Sequence, residues 1–64
     1  MADFVPALRK MLEEAGCRFV RRAKGDHDLW ESPITNRRVV VEGTIKSRHT
    51  ANAVLKQAGL PKAF

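Results

Sequence analysis

The chain has 64 residues, with 12 lysines and arginines against seven aspartates and glutamates, which gives a formal net charge of +5 at pH 7. A chain this short buries only about 60% of the surface that its unfolded form exposes, so we expect one small domain over residues 1–64 without a deep cavity for a small-molecule substrate. Its apolar runs fall short of the roughly 20 residues that cross a bilayer, and we expect no membrane partner. One cysteine, Cys17, excludes an internal disulfide and, with two histidines, does not have zinc-finger spacing. A cytoplasmic protein without a metal or cofactor is therefore expected, and the charge favours a polyanionic partner.

The first element in the chain is predicted to be an amphipathic helix over about residues 3–15. Its apolar positions recur at helical spacing: Phe4, Leu8, Met11, Leu12 and Ala15. Asp3 is the expected N-cap, Pro6 is tolerated in the first turn, and Gly16 is expected to end the helix.

After Gly16 the apolar period falls to two, which predicts strands over residues 17–23, 27–32 and 38–42. In the first strand this alternation places Phe19 and Arg21 on one face and Arg22 on the other. Turn residues 24–26 and the break at Pro33 are short connections, so the strands must form an antiparallel meander. The second strand is expected to begin at His27.

A second helix is predicted from the N-cap Ser47 to about residue 58, ended by Gly59 with Leu60 folding back onto it. The fold class is therefore α+β, in the order α-β-β-β-α, with both helices on one face of a three-stranded antiparallel sheet and the other face open. A chain this small needs its aromatic residues in the core, so we assign Phe4, Phe19 and Trp30 to it. Cys17 is expected to be buried as well.

The excess positive charge is concentrated in the middle of the chain. Residues 17–50 have a net charge of +4, whereas residues 1–16 have −1. Lysines and arginines at this density neutralise phosphates and give salt-dependent affinity, which makes nucleic acid the leading partner class. The alternative is that the charge serves only solubility.

His27 is the candidate for proton transfer, because it follows a tight turn and imidazole titrates near neutral pH. RNA cleavage needs a group that removes the 2′-hydroxyl proton and cations that stabilise the phosphoryl oxygens, and Lys24 is close in sequence. A histidine at the start of a strand is also often structural. His49, in the first turn of the second helix, is a further candidate whose part in catalysis the sequence leaves open. Asp26 and Asp28 are interpreted as turn formers or weak ligands of a divalent ion.

The sequence resembles the HicA toxins of bacterial toxin–antitoxin pairs. The resemblance runs through four segments, and the Gly-x-His turn is its most specific part: Leu12-Glu13-Glu14-Ala15-Gly16, Phe19-Val20-Arg21-Arg22, Lys24-Gly25-Asp26-His27 and Val54-Leu55-Lys56-Gln57-Ala58-Gly59-Leu60. The residue before this histidine is commonly Ser or Thr in the family and is Asp26 here.

The resemblance implies a fold like that of double-stranded-RNA-binding domains and an endoribonuclease, or mRNA interferase, that cleaves mRNA. Cleavage by attack of the 2′-hydroxyl requires no metal. It also implies that His27 is catalytic and that a HicB-type antitoxin silences the toxin. The cations expected to bind RNA are Arg21, Arg22, Lys24 and Arg48. Two alternatives stay open, namely a non-catalytic double-stranded-RNA-binding module and a degenerate toxin that only binds its antitoxin.

Overall fold

The computed structural model describes residues 3–64 and has the predicted order of elements. Helix α1 spans Val5–Glu14, strands β1, β2 and β3 span Arg18–Arg22, Asp28–Ser32 and Arg37–Val41, and helix α2 spans Arg48–Gln57. The strands form one antiparallel sheet in the order β1-β2-β3. This α-β-β-β-α arrangement with an open sheet confirms the predicted fold class and is consistent with a double-stranded-RNA-binding-domain-like fold. In the described part of the chain, each helix is too short or too polar to span a bilayer.

The start of α1 differs from the prediction. Phe4, not Asp3, is the N-cap residue, and its side chain makes no capping hydrogen bond. Asp3 lies one residue earlier, where its Oδ1 accepts hydrogen bonds from the backbone N–H of Val5 at 3.1 Å and of Ile45 at 3.2 Å. Asp3 therefore satisfies one orphan N–H of α1 and also connects the helix to the loop between β3 and α2.

Both helices cover the same face of the sheet. Residues directly opposite each other in an antiparallel pair share a face, and Trp30 pairs with Val39 while Asp28 pairs with Val41. The buried core joins residues of this helix-covered face to both helices: Trp30, Val39 and Val41 with Val5, Leu8, Leu12, Ala51, Val54 and Leu55. The alternate residues form the open face, which carries Leu29, Glu31, Arg38 and Val40.

A β-bulge in β1 makes the predicted alternation wrong in the second half of that strand. Phe19 pairs with Trp30, but the next pairs are Arg21 with Leu29 and Arg22 with Asp28. The extra residue, Val20, reverses the facing of everything after it. Arg21 consequently lies on the open face and Arg22 on the helix-covered face.

The aromatic residues and Cys17 divide between core and edge. Trp30 and Cys17 are buried as predicted, and Phe4 packs against the core. The assignment of Phe19 to the core is wrong, because half of its surface is exposed and its ring contacts Trp30 edge-on at a centroid distance of 6.0 Å. The residues of β1 are exposed or half-buried along the whole strand, whereas β3, the other edge strand, has Val39 and Val41 buried, so the helices cover β1 less than β3.

Helix α2 begins and ends as predicted. The Ser47 side chain accepts a hydrogen bond from the Thr50 N–H at 3.4 Å, which confirms the N-cap. After the helix Gly59 has a φ of +82°, and the Leu60 N–H donates to the Leu55 carbonyl at 2.8 Å. Leu60 thus folds back onto the core.

Candidate functional site

A tight turn over residues 24–27 presents His27 between β1 and β2. The His27 N–H donates to the Lys24 carbonyl at 3.4 Å, and Gly25, the first central residue, has a φ of +69°. Asp26 is not among the residues with positive φ, which is the pattern of a type II′ hairpin turn. The Ala23 N–H then donates to the His27 carbonyl at 2.7 Å, so hydrogen bonding between the strands reaches His27 although β2 begins one residue later.

The His27 side chain is accessible, with 43% of its surface exposed. Its Nε2 lies 3.9 Å from Asp26 Oδ1, which is beyond hydrogen-bonding distance. Within residues 3–64 the imidazole makes no hydrogen bond.

The loop after β3 supports the turn at Gly43. A Cβ atom at position 43 would lie 2.9 Å from the Asp26 Cβ and closer still to its carboxylate. Only a glycine lets the two segments approach this closely without one of them moving. The side chain next to His27 is therefore packed on the backbone of a second loop while its carboxylate stays largely exposed.

Asp28, which directly follows His27, is the buried centre of an ion-pair cluster. Its carboxylate is 4% exposed and lies 2.7 Å from Arg9 Nη2 and 2.9 Å from Arg22 Nε. The Arg9 contact is a hydrogen bond, whereas the Arg22 contact is an ion pair without hydrogen-bond alignment, since Oδ1 has no aligned donor. The interpretation of Asp28 as a turn former or ion ligand is thus wrong, because arginines of α1 and β1 occupy both oxygens.

Arg9 is a residue of this region that the sequence reasoning missed. It lies four residues after Val5 and directly after Leu8, both buried, so it borders the apolar stripe of α1. A cation at the border of the apolar stripe is expected to face the sheet, so this spacing in the sequence could have identified Arg9. Lys10, the next residue, is fully on the outer surface.

The predicted RNA-binding cations divide between two regions of the described structure. Arg21, Arg22 and Lys24 are all exposed and lie on the hairpin that carries His27. Arg48 is the first residue of α2, exposed beside His49, and the loop that leads to it reaches the turn at Gly43. Three of the four cations therefore lie on the same hairpin as His27.

Asp26 and Asp28 do not act together. One carboxylate is exposed and the other is buried between arginines. Among residues 3–64 the structure has no cluster of three or more His, Cys, Asp or Glu side chains that could bind a metal ion.

Comparison with known protein families gives a match. A family model described as the HicA toxin of bacterial toxin–antitoxin pairs matches residues 6–60. No curated protein and no solved structure matches the chain. The matched stretch includes the hairpin, the whole sheet and α2.

Proposed function

The chain belongs to the HicA toxin family, and on that premise we propose that this toxin of a toxin–antitoxin system is an endoribonuclease that cleaves mRNA with His27 as its general acid or base. The observation that carries the proposal is that His27 is accessible and makes no hydrogen bond. Its imidazole is 43% exposed on a tight hairpin turn, makes no hydrogen bond in the described structure, and follows the exposed cations Arg22 and Lys24 in the chain.

The chemistry fits a side chain of this kind. In RNA cleavage a base takes the proton of the 2′-hydroxyl, the oxygen attacks the adjacent phosphorus, and an acid protonates the leaving 5′-oxygen. An unpartnered imidazole can perform either proton transfer, because its neutral form accepts a proton at the unprotonated ring nitrogen and its protonated form donates one. The reaction by this route uses the RNA's own hydroxyl as nucleophile and needs no metal-bound water.

Cations must stabilise the charge that develops on the phosphoryl oxygens. Lys24 begins the turn that ends at His27 and is exposed, so it is the cation we assign to the scissile phosphate. Arg21 lies on the open face and Arg22 on the helix-covered face, so the two extend the contact along both sides of β1. Arg48 is assigned to a phosphate farther along the RNA, at the start of α2.

We assign a HicB-type antitoxin as the partner that silences the toxin, and the cytoplasm, where mRNA is translated, as the place of action. A partner that covers the His27 hairpin must meet Arg21 and Lys24, both exposed. Acidic groups on the antitoxin would complement them and speed association.

The proposal is tested with purified parent protein and the variants His27→Ala and His49→Ala, incubated with RNA in the presence of a metal chelator. General acid–base catalysis contributes about 10²–10⁴-fold, so His27→Ala is expected to lower the cleavage rate by that factor while RNA binding persists. His49→Ala is the matched variant, since it removes an exposed imidazole from another element.

Three results would contradict the proposal. Equal cleavage by the parent and His27→Ala would remove the catalytic assignment. RNA that is bound by the parent but stays intact would instead favour the non-catalytic module, and co-purification with an antitoxin without RNA degradation would favour the degenerate toxin. Growth arrest after induction of the parent, but not of His27→Ala, supports the proposal in cells.

A further inference from the structure

The Asp28 cluster consists of the Asp28 carboxylate and the guanidinium groups of Arg9 and Arg22, and its negative charge is buried whereas its positive charges reach solvent. The carboxylate is 4% exposed, whereas the side chains of Arg9 and Arg22 are 43% and 61% exposed. A group that approaches from solvent therefore meets two guanidinium groups and does not meet the carboxylate that holds them. Two cations and one anion leave this cluster with a net charge of +1.

The other arginine–carboxylate pair of the sheet lacks this separation. Arg18 donates to Glu31 from both Nε and Nη2, at 3.0 and 2.7 Å, and the Glu31 carboxylate is 36% exposed. An anion near Arg18 would thus also meet an accessible negative charge. The Asp28 cluster is the one of the two that presents positive charge alone.

The guanidinium groups of the Asp28 cluster keep donors for a ligand. Arg22 contacts Asp28 through Nε, and its two terminal nitrogens make no hydrogen bond within residues 3–64. Arg9 donates to Asp28 from Nη2, and its Nη1 makes no hydrogen bond within residues 3–64. Burying a carboxylate to fasten α1 to the sheet is a weak source of stability, since apolar replacements of buried ion pairs are often as stable. It does, however, fix two planar groups whose geometry suits phosphate.

We propose that Arg9 and Arg22, oriented by Asp28, form a second phosphate-binding site that holds the RNA next to the phosphate cleaved at His27. The inference rests on the proposed function, because it takes RNA as the substrate. Asp28 directly follows His27, and consecutive Cα atoms are about 3.8 Å apart, while alternation along the strand directs the two side chains to opposite faces of the sheet. An RNA strand that passes around this end of the hairpin would therefore contact both sites through neighbouring phosphates. The RNA interface thus extends onto α1, although residues 1–16 have a net negative charge. Asp28 is a positioning residue and does not touch the RNA.

The test measures binding in the His27→Ala background, so that the RNA stays intact. A short single-stranded RNA of mixed sequence with a fluorescein label is titrated by fluorescence anisotropy between about 50 and 200 mM salt. Removing one phosphate contact to single-stranded RNA is expected to lower the slope of log K against log salt by about 0.7 for Arg9→Gln, and to weaken binding several-fold at about 0.1 M salt. Arg9→Lys keeps the cation and is expected to retain the slope.

Lys10→Gln is the matched control, because it removes the same charge from the adjacent, outward-facing residue of α1. An unchanged slope in Arg9→Gln, or an equal fall in Lys10→Gln, would overturn the phosphate site. If Arg9→Gln does not fold, NMR of the His27→Ala protein is the second measurement. The Nε–H signals of Arg9 and Arg22 are expected to shift on addition of RNA, whereas the signal of Arg18 is not. Unmoved Arg9 and Arg22 signals would also overturn the site. Failure of His27→Ala to bind RNA at any salt concentration would overturn the proposed function as well, which separates the two failures.

Discussion

Gly43 lies outside the hairpin, and the conformation of the His27 turn depends on it. Its missing side chain gives Asp26 the space it occupies, with 2.9 Å between the Asp26 Cβ and a Cβ built at position 43. We expect Gly43→Ala to displace Asp26, lower the free energy of unfolding by about 1–3 kcal/mol, and reduce RNA cleavage. Urea unfolding and the cleavage rate measure the two effects.

The contact predicts coupling between the two positions. The double variant Gly43→Ala/Asp26→Gly lacks the Asp26 atoms that would collide with the new Cβ. Its loss in the free energy of unfolding should therefore be smaller than the sum of the losses of the two single variants. Gly25→Ala is the contrast, since its Cβ would have no atom within 4 Å and its cost of about 1–2 kcal/mol comes only from the φ of +69°. Asp26→Gly should not relieve that cost. Strict additivity in the Gly43 cycle would show that Asp26 moves away freely.

At the scale of elements, a buried hydroxyl attaches β2 to the end of α2. Ser32 Oγ donates to the Ala58 carbonyl at 2.6 Å and accepts from the Ile34 N–H at 3.2 Å. Ser32→Ala leaves that carbonyl buried without its donor, so we expect a loss of about 1–3 kcal/mol in the free energy of unfolding. Urea unfolding followed by the fluorescence of Trp30, which is buried and is the one tryptophan of the chain, measures it.

Thr35 supplies the matched control for this attachment. Its Oγ1 donates to the neighbouring Gln57 carbonyl, but at 3.4 Å and on the exposed surface, where water replaces the bond. Thr35→Val keeps the methyl group, and we expect a change within about 0.5 kcal/mol. Equal losses for the two variants would mean that burial does not set the strength of the attachment.

The sequence was sufficient to predict the elements because their signals are local. Helical spacing, Gly16, Ser47 and Gly59 mark where α1 and α2 begin or end, and these positions act through their own backbone conformation. The facing of Arg21 and Arg22 was not predictable in the same way. A bulge at Val20 is a property of the pairing between β1 and β2, so alternation along β1 alone gives the opposite facing.

The same distinction between local signals and long-range contacts applies to the candidate site. The turn that presents His27 is encoded by adjacent residues, and the sequence indicated it. The partners of Asp28 were not predictable, because Arg9 is 19 residues away in the chain and meets Asp28 only after α1 has packed on the sheet. Phe19 was misassigned for a related reason, since its exposure depends on how little of β1 the helices cover, which the sequence of β1 alone does not indicate.

At the scale of the whole molecule, the arrangement of charge should matter more than its total. The structure measures 31 × 27 × 16 Å, and at 0.1 M salt charges are screened over about 10 Å. Lys24 begins the turn before β2, whereas Lys56 lies in the last turn of α2, which is attached to the far end of β2 through Ser32. Five residues of strand, at about 3.3 Å each, separate these ends by more than one screening length.

This separation predicts different effects for two substitutions that lower the net charge equally. In the His27→Ala background, Lys24→Gln is expected to weaken RNA binding several-fold at about 0.1 M salt and to lower the salt slope by about 0.7, as the loss of one phosphate contact does. Lys56→Gln is expected to leave both quantities nearly unchanged, because its charge is screened from RNA bound at the hairpin. Equal weakening by the two variants in anisotropy titrations would mean that RNA responds to the total charge of +5 and not to its position beside His27.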